Sequence, residues 1–139
     1  VSARKSYLTT AQFAILNDAC IPLVEAFDSH PYLVGSATER ADYRDVDLRL
    51  ILMDEEFDRL FSGRELLWSI VSLSIGRYLA SITGLPIDFQ IQRMTEANDR
   101  FPGAGDRHPM GMKARPLAGG GDATNFAPRD IPKATQEDT

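Results

Sequence analysis

The 139-residue sequence has a single cysteine, Cys20, so no disulfide can form within the chain, and no histidine lies close to it in sequence. A cysteine nucleophile needs a neighbouring base or cation to hold its thiolate. Cys20 has none in its vicinity and falls on an apolar helical pattern, so it reads as a small buried hydrophobe. One unpaired cysteine also fits a reducing compartment. An excess of positive charge is missing too. Lys and Arg number 15 against 20 Asp and Glu, a net charge of −5, which argues against an extensive grip on duplex DNA or RNA. A small nucleotide is still allowed, because a metal ion and one or two arginines can meet its charge. No run reads as apolar enough to cross a membrane, and no basic-then-apolar segment opens the chain. A cytoplasmic location is therefore the expectation. There are no internal repeats.

What is present suits one domain with a modest core, 43% of residues being apolar. Residues 9–28 carry Phe13, Leu16, Cys20, Leu23, Val24 and Phe27 at helical spacing, with Thr9 or Thr10 as cap and Pro22 expected to kink or split the helix. Tyr32-Leu33-Val34 reads as a short strand, and residues 37–44 as a turn or short helix. Residues 45–53 form the clearest strand, with Val46, Leu48, Leu50 and Leu52 on one face and Asp45, Asp47 and Arg49 on the other. Asp54 is the expected cap of a short helix ending at Phe61. Between Gly63 and Thr83 an apolar stripe of Leu66, Leu67, Ile70, Val71, Ser74, Ile75, Tyr78, Leu79 and Ile82 predicts a long helix, with Trp68 off the stripe and Gly84 as its stop. Residues 86–92 read as another strand, Asp88, Gln90 and Gln92 sharing one face. The fold class is α+β with an α/β-like order: a small mixed sheet of three to four strands flanked by helices. Residues 1–98 form the predicted core. Residues 99–139 hold five of the eight prolines and six of the ten glycines and read as an extended tail, with Arg107, His108, Lys113 and Arg115 as dispersed charge and Gly119-Gly120-Gly121 as linker.

The chemistry is concentrated in the strands. Residues two apart on a strand share a face, so Asp45 and Asp47 converge while Val46 turns inward. If the 86–92 strand is adjacent, Asp88 reaches the same spot. Carboxylates crowded together repel, and a magnesium ion, a hard cation that takes oxygen ligands, relieves that repulsion without protonating them. Two such ions, with manganese as a substitute, would clamp both oxygens of an in-line phosphoryl displacement. The Gly35-Ser36 turn, following a short apolar strand, suits a phosphate beside that metal.

These residues, Leu33-Val34-Gly35-Ser36, Arg44-Asp45-Val46-Asp47-Leu48 and Ile87-Asp88-Phe89, together resemble the minimal nucleotidyltransferases of the DNA polymerase β-like superfamily. The resemblance covers roughly residues 9–95, in the order helix–strand–helix–strand–helix–strand. It implies that Asp45, Asp47 and Asp88 bind the metal ions and are the catalytic carboxylates, Asp88 assisting deprotonation of the attacking hydroxyl. Gly35 and Ser36 would contact the triphosphate. The family's usual Arg-Gly after Gly-Ser is replaced here by Ala37-Thr38-Glu39-Arg40 and the spacer is short. Arg40 and then Arg44 take the phosphate-neutralising role, with Arg49 behind them as a strand-end charge. The implied reaction transfers a nucleoside monophosphate from ATP or another NTP to a hydroxyl of an RNA end, a protein side chain or a small molecule. Minimal members of bacteria and phages also resemble one half of toxin–antitoxin pairs, which implies a small helical protein partner as the alternative role. A nuclease reading of Pro86-Ile87-Asp88 lacks the lysine that its chemistry requires.

Overall fold

The computed structural model describes residues 6–100 and 107–113. Helix α1 (Thr10–Phe27) begins at a capping box: the Gln12 N–H donates to Thr9 Oγ1 at 3.0 Å and the Thr9 N–H donates to Gln12 Oε1 at 2.8 Å. Leu16, Ala19, Cys20 and Leu23 form its buried side. Pro22 does not split it. The helix runs through as one element, and the proline is exposed, where water can bond the carbonyl that its missing N–H leaves free. Asp28 ends the helix in the left-handed conformation, its N–H bonded to the Val24 carbonyl at 2.8 Å.

Strand β1 (Pro31–Val34) leads into a 3-10 turn, Gly35–Thr38, and then to β2 (Val46–Leu52), α2 (Asp54–Phe61), α3 (Glu65–Thr83), β3 (Ile87–Arg93), α4 (Met94–Arg100) and β4 (His108–Pro109). Among the described residues the result is the expected α+β class, four helices with a four-stranded mixed sheet of order β3-β2-β1-β4. β2 runs antiparallel to β1 and parallel to β3, and β4 is antiparallel to β1. Val46, Leu48, Leu50 and Leu52 are all buried, as their alternation predicts.

Three expectations are corrected. Asp54 does not cap α2; Met53 precedes the helix without a side-chain cap. The Asp54 carboxylate instead accepts from the Thr95 N–H at 3.1 Å and from its hydroxyl, which holds the Asp54 carboxyl below its ordinary range. More consequentially, the stripe expected to bury α3 is largely outside. Leu66, Leu67, Ile70, Tyr78 and Ile82 are exposed, and Ser72, Gly76 and Leu79 face inward, with Trp68, Val71 and Ile75 packed at the margin. The helix is apolar almost all round, so hydrophobicity alone does not orient it. Close approach does: a Cβ on Gly76 would stand 3.3 Å from that of Phe89. Two polar groups also fix the rotation. Trp68 Nε1 donates to the Ile91 carbonyl at 2.8 Å, and the Ile91 N–H donates to Ser72 Oγ at 3.3 Å, capping the outer edge of β3. By length and composition α3 would also pass as a membrane span, against the expectation that no stretch would.

Within the expected tail, residues 107–113 join the core. β4 adds to β1, Met110 is fully buried, and its N–H donates to the Pro31 carbonyl at 2.7 Å. Asn17 of α1 clamps the segment, accepting from the N–H groups of Gly111 and Met112 at 2.8 and 3.0 Å and donating to the Met112 carbonyl at 2.8 Å. Gly111 needs to be glycine: its φ is +81°, and a Cβ would lie 3.0 Å from the Cys20 carbonyl oxygen. The remaining tail expectations, including Gly119-Gly120-Gly121 and Arg115, lie outside the described residues.

Candidate functional site

Strand register builds the site. Val34 lies opposite Asp47 on the antiparallel pair, and Asp47 lies opposite Asp88 on the parallel pair. The chain therefore leaves β1 at Gly35-Ser36 beside the Asp47 carboxylate. Gly35 has φ +80°, and a Cβ there would overlap Oδ2 of Asp47 and stand 3.0 Å from its Cγ. Glycine is required here on two counts, a left-handed backbone and a carboxylate in the space a side chain would fill. The turn is then held by Thr38 Oγ1 donating to the Gly35 carbonyl at 2.7 Å and by the Glu39 and Arg40 N–H groups donating to the Ser36 carbonyl at 2.9 and 2.8 Å.

Asp47 has its pKa raised from 3.8 to about 6. Desolvation is the largest cause; Arg49 opposes it, and Asp88 adds to it by repulsion and by a side-chain hydrogen bond. A proton on one of two adjoining carboxyls relieves their repulsion, which is the direction of the Asp47 shift. Asp45 precedes β2, is exposed, and is the smallest contributor to the Asp47 shift. Of the three predicted carboxylates, the structure brings two side by side and leaves Asp45 at the margin. Among the described residues no three Asp, Glu, His or Cys side chains are gathered closely enough to hold a metal ion.

The arginines are arranged differently from the sequence reading. Arg40 is solvated, with Nε 3.3 Å from Asp42 Oδ1, and Arg44 is exposed. Arg49 is the buried one, only 11% exposed. Its Nη1 donates to the Leu48 and Asp88 carbonyls at 2.9 and 2.8 Å, and its Nη2 lies 3.7 Å from Asp88 Oδ2. Alternation along β2 puts Arg49 on the face of Asp47, a signal legible in the sequence but given too little weight. The lane next to Val34–Asp47–Asp88 on that face is Tyr32–Arg49–Gln90. Arg107, which no local pattern marks, reaches this lane from the segment before β4, its Cζ 5.5 Å over the Tyr32 ring. His108 sits in β4, paired with Leu33.

No protein-family model, curated protein or solved structure matches this chain. What the chain can do rests on the chemistry of this site. Its donor set suits a hard cation: Asp47 and Asp88 adjoin, Asp47 is partly desolvated, and their mutual repulsion is what a divalent ion relieves.

Proposed function

We propose that this protein is a metal-dependent nucleotidyltransferase, moving a nucleoside monophosphate from a nucleoside triphosphate to a hydroxyl acceptor with release of pyrophosphate. The observation that carries the reading is the junction of Gly35, Asp47 and Asp88: a glycine turn that leaves no room for a side chain, pressed against one carboxylate whose strand neighbour is a second. Asp47 and Asp88 would hold the cation, with Asp45 drawn in from the margin. A bound magnesium ion would supply charge neutralisation for the phosphoryl oxygens. The chain's own residues have separate roles. Gly35 lets a phosphate approach the backbone of the turn, and Ser36 offers a hydroxyl donor there. Asp88, whose side chain is 45% exposed, is open to an incoming hydroxyl and accepts its proton. The test is thermal. Magnesium with at least one of the four nucleoside triphosphates should raise the melting temperature, and Asp47→Asn should remove that rise. If no nucleotide shifts the wild-type protein, the reading fails.

A second reading, a protein that binds a small helical partner, is favoured by α3. Leu66, Ile70 and Leu73 are 78%, 60% and 58% exposed along the outer side of α3, an apolar face of the kind that marks interaction surfaces. A stoichiometric partner co-purifying from the native host, lost with Ile70→Asp and kept with Asp47→Asn, would select this role.

A further inference from the structure

Buried donors without acceptors are uncommon in folded proteins and ask for an explanation. Among the described residues three buried side-chain atoms lack a partner, and two are arginine nitrogens: Arg49 Nε and Arg107 Nη1. They come from β2 and from the residue before β4 to one face of the sheet. Arg49 shares the face of Asp47 and lies directly across from Tyr32. Arg107 lies over the Tyr32 ring on the β4 side, held by Nη2 donating to Asn98 Oδ1 at 2.9 Å. The two guanidinium groups thus flank Tyr32, and β1 runs from Tyr32 straight to the Gly35-Ser36 turn. Two guanidinium forks on one face suit a ligand that carries more than one phosphate. Arg40 and Arg44, the arginines nominated by sequence, have solvent or Asp42 for company.

We propose that Arg49 and Arg107 are the anion-binding pair of this site, gripping a polyphosphate chain laid along Tyr32 toward the Gly35-Ser36 turn. The inference rests on the nucleotidyltransferase reading for the metal that offsets Asp47 and Asp88, and adds to it the residues that meet the phosphates. Guanidinium suits the role because its planar fork offers several donors at fixed geometry and stays charged when buried. Arg49 Nη2 lies 3.7 Å from the Asp88 carboxylate, beyond a direct hydrogen bond, while Nη1 donates to two carbonyls and Nε has no acceptor.

Calorimetric titration of the full chain with tripolyphosphate, at saturating magnesium, tests this. Arg49→Gln and Arg107→Gln should each weaken binding roughly ten-fold or more, while Arg40→Gln and Arg44→Gln change it less than about two-fold. Arg49→Lys covers the case in which Arg49→Gln fails to fold. It keeps the charge but not the fork, and should bind more weakly than wild type at an unchanged melting temperature. No binding by the wild type, unchanged binding by Arg107→Gln, or an equal loss in Arg40→Gln would each overturn the proposal. Label transfer from α-labelled nucleotides reads the parent function separately. Polyphosphate binding that needs both arginines, in a protein that transfers no label, upholds the pair and removes the transferase. Transfer that persists undiminished in the double variant does the reverse.

Discussion

Asp47 is the residue on which the site's energetics turn. Its folded pKa of about 6 lies above the ordinary 3.8, so between those values the native state holds a proton that the unfolded chain has released. Stability therefore falls as pH rises from about 4 to about 6 and stays at the lower level above that. Asp47→Asn removes the ionisation and keeps the shape. In metal-free buffer it should melt higher than wild type at pH 8 and lose that advantage near pH 4. Melting curves across that range check it, and a pH-independent difference would contradict the assignment. Gly35 is the second sensitive residue. Gly35→Ala must both adopt a φ of +80° and displace the Asp47 carboxylate. It should cost roughly 1–3 kcal/mol by denaturant titration, and any magnesium–nucleotide shift should vanish with it. The Gly-Ser turn after β1 and the strand face of Asp47 were legible in the sequence because both are local, whereas the expected convergence of Asp45 on Asp47 was not met. The depth of Arg49 was not legible, since it depends on how far β3 and Asp88 close over it.

Helix α3 shows why an element can be found and yet misoriented. A buried face lined by Ser72 and Gly76 beats one lined by leucines because it lets the helix backbone approach the sheet. Gly76→Val should force the helix away from Phe89 and destabilise the fold by roughly 1–3 kcal/mol in urea titration, whereas Leu73→Lys on the outer side should stay within about 0.5 kcal/mol of wild type. Equal effects at the two positions would mean that the helix is rotated from the orientation described. Period counting located α3 between Gly63 and Thr83 but could not choose a side on a helix apolar nearly all round. The strands were easier. β2 carries leucine and valine at every second position, so its faces follow from the pleat. Asp54 illustrates the opposite limit: its partner Thr95 lies 41 residues away, and no local cap rule anticipates it.

At the scale of the molecule, the C-terminal segment is what the sequence concealed most fully. Two strand residues in a proline- and glycine-rich stretch carry no periodic signal, yet residues 107–113 close one side of the sheet and deliver Arg107 to the site. Asn17 holds them there, so Asn17→Ala should cost about 1–3 kcal/mol and raise hydrogen exchange at the Met110 amide. An unaltered exchange rate there would show the clamp to be dispensable. Cys20 lies beneath the same segment, its thiol ionisation pushed up to about 12 by burial and its carbonyl against Gly111. In the closed state that sulfur is neither exposed nor ionised, so an alkylating reagent can react only during excursions that uncover it. The solitary thiol should therefore label slowly, and because the Cys20 carbonyl abuts Gly111 the rate should climb in Asn17→Ala, where residues 107–113 are less firmly held.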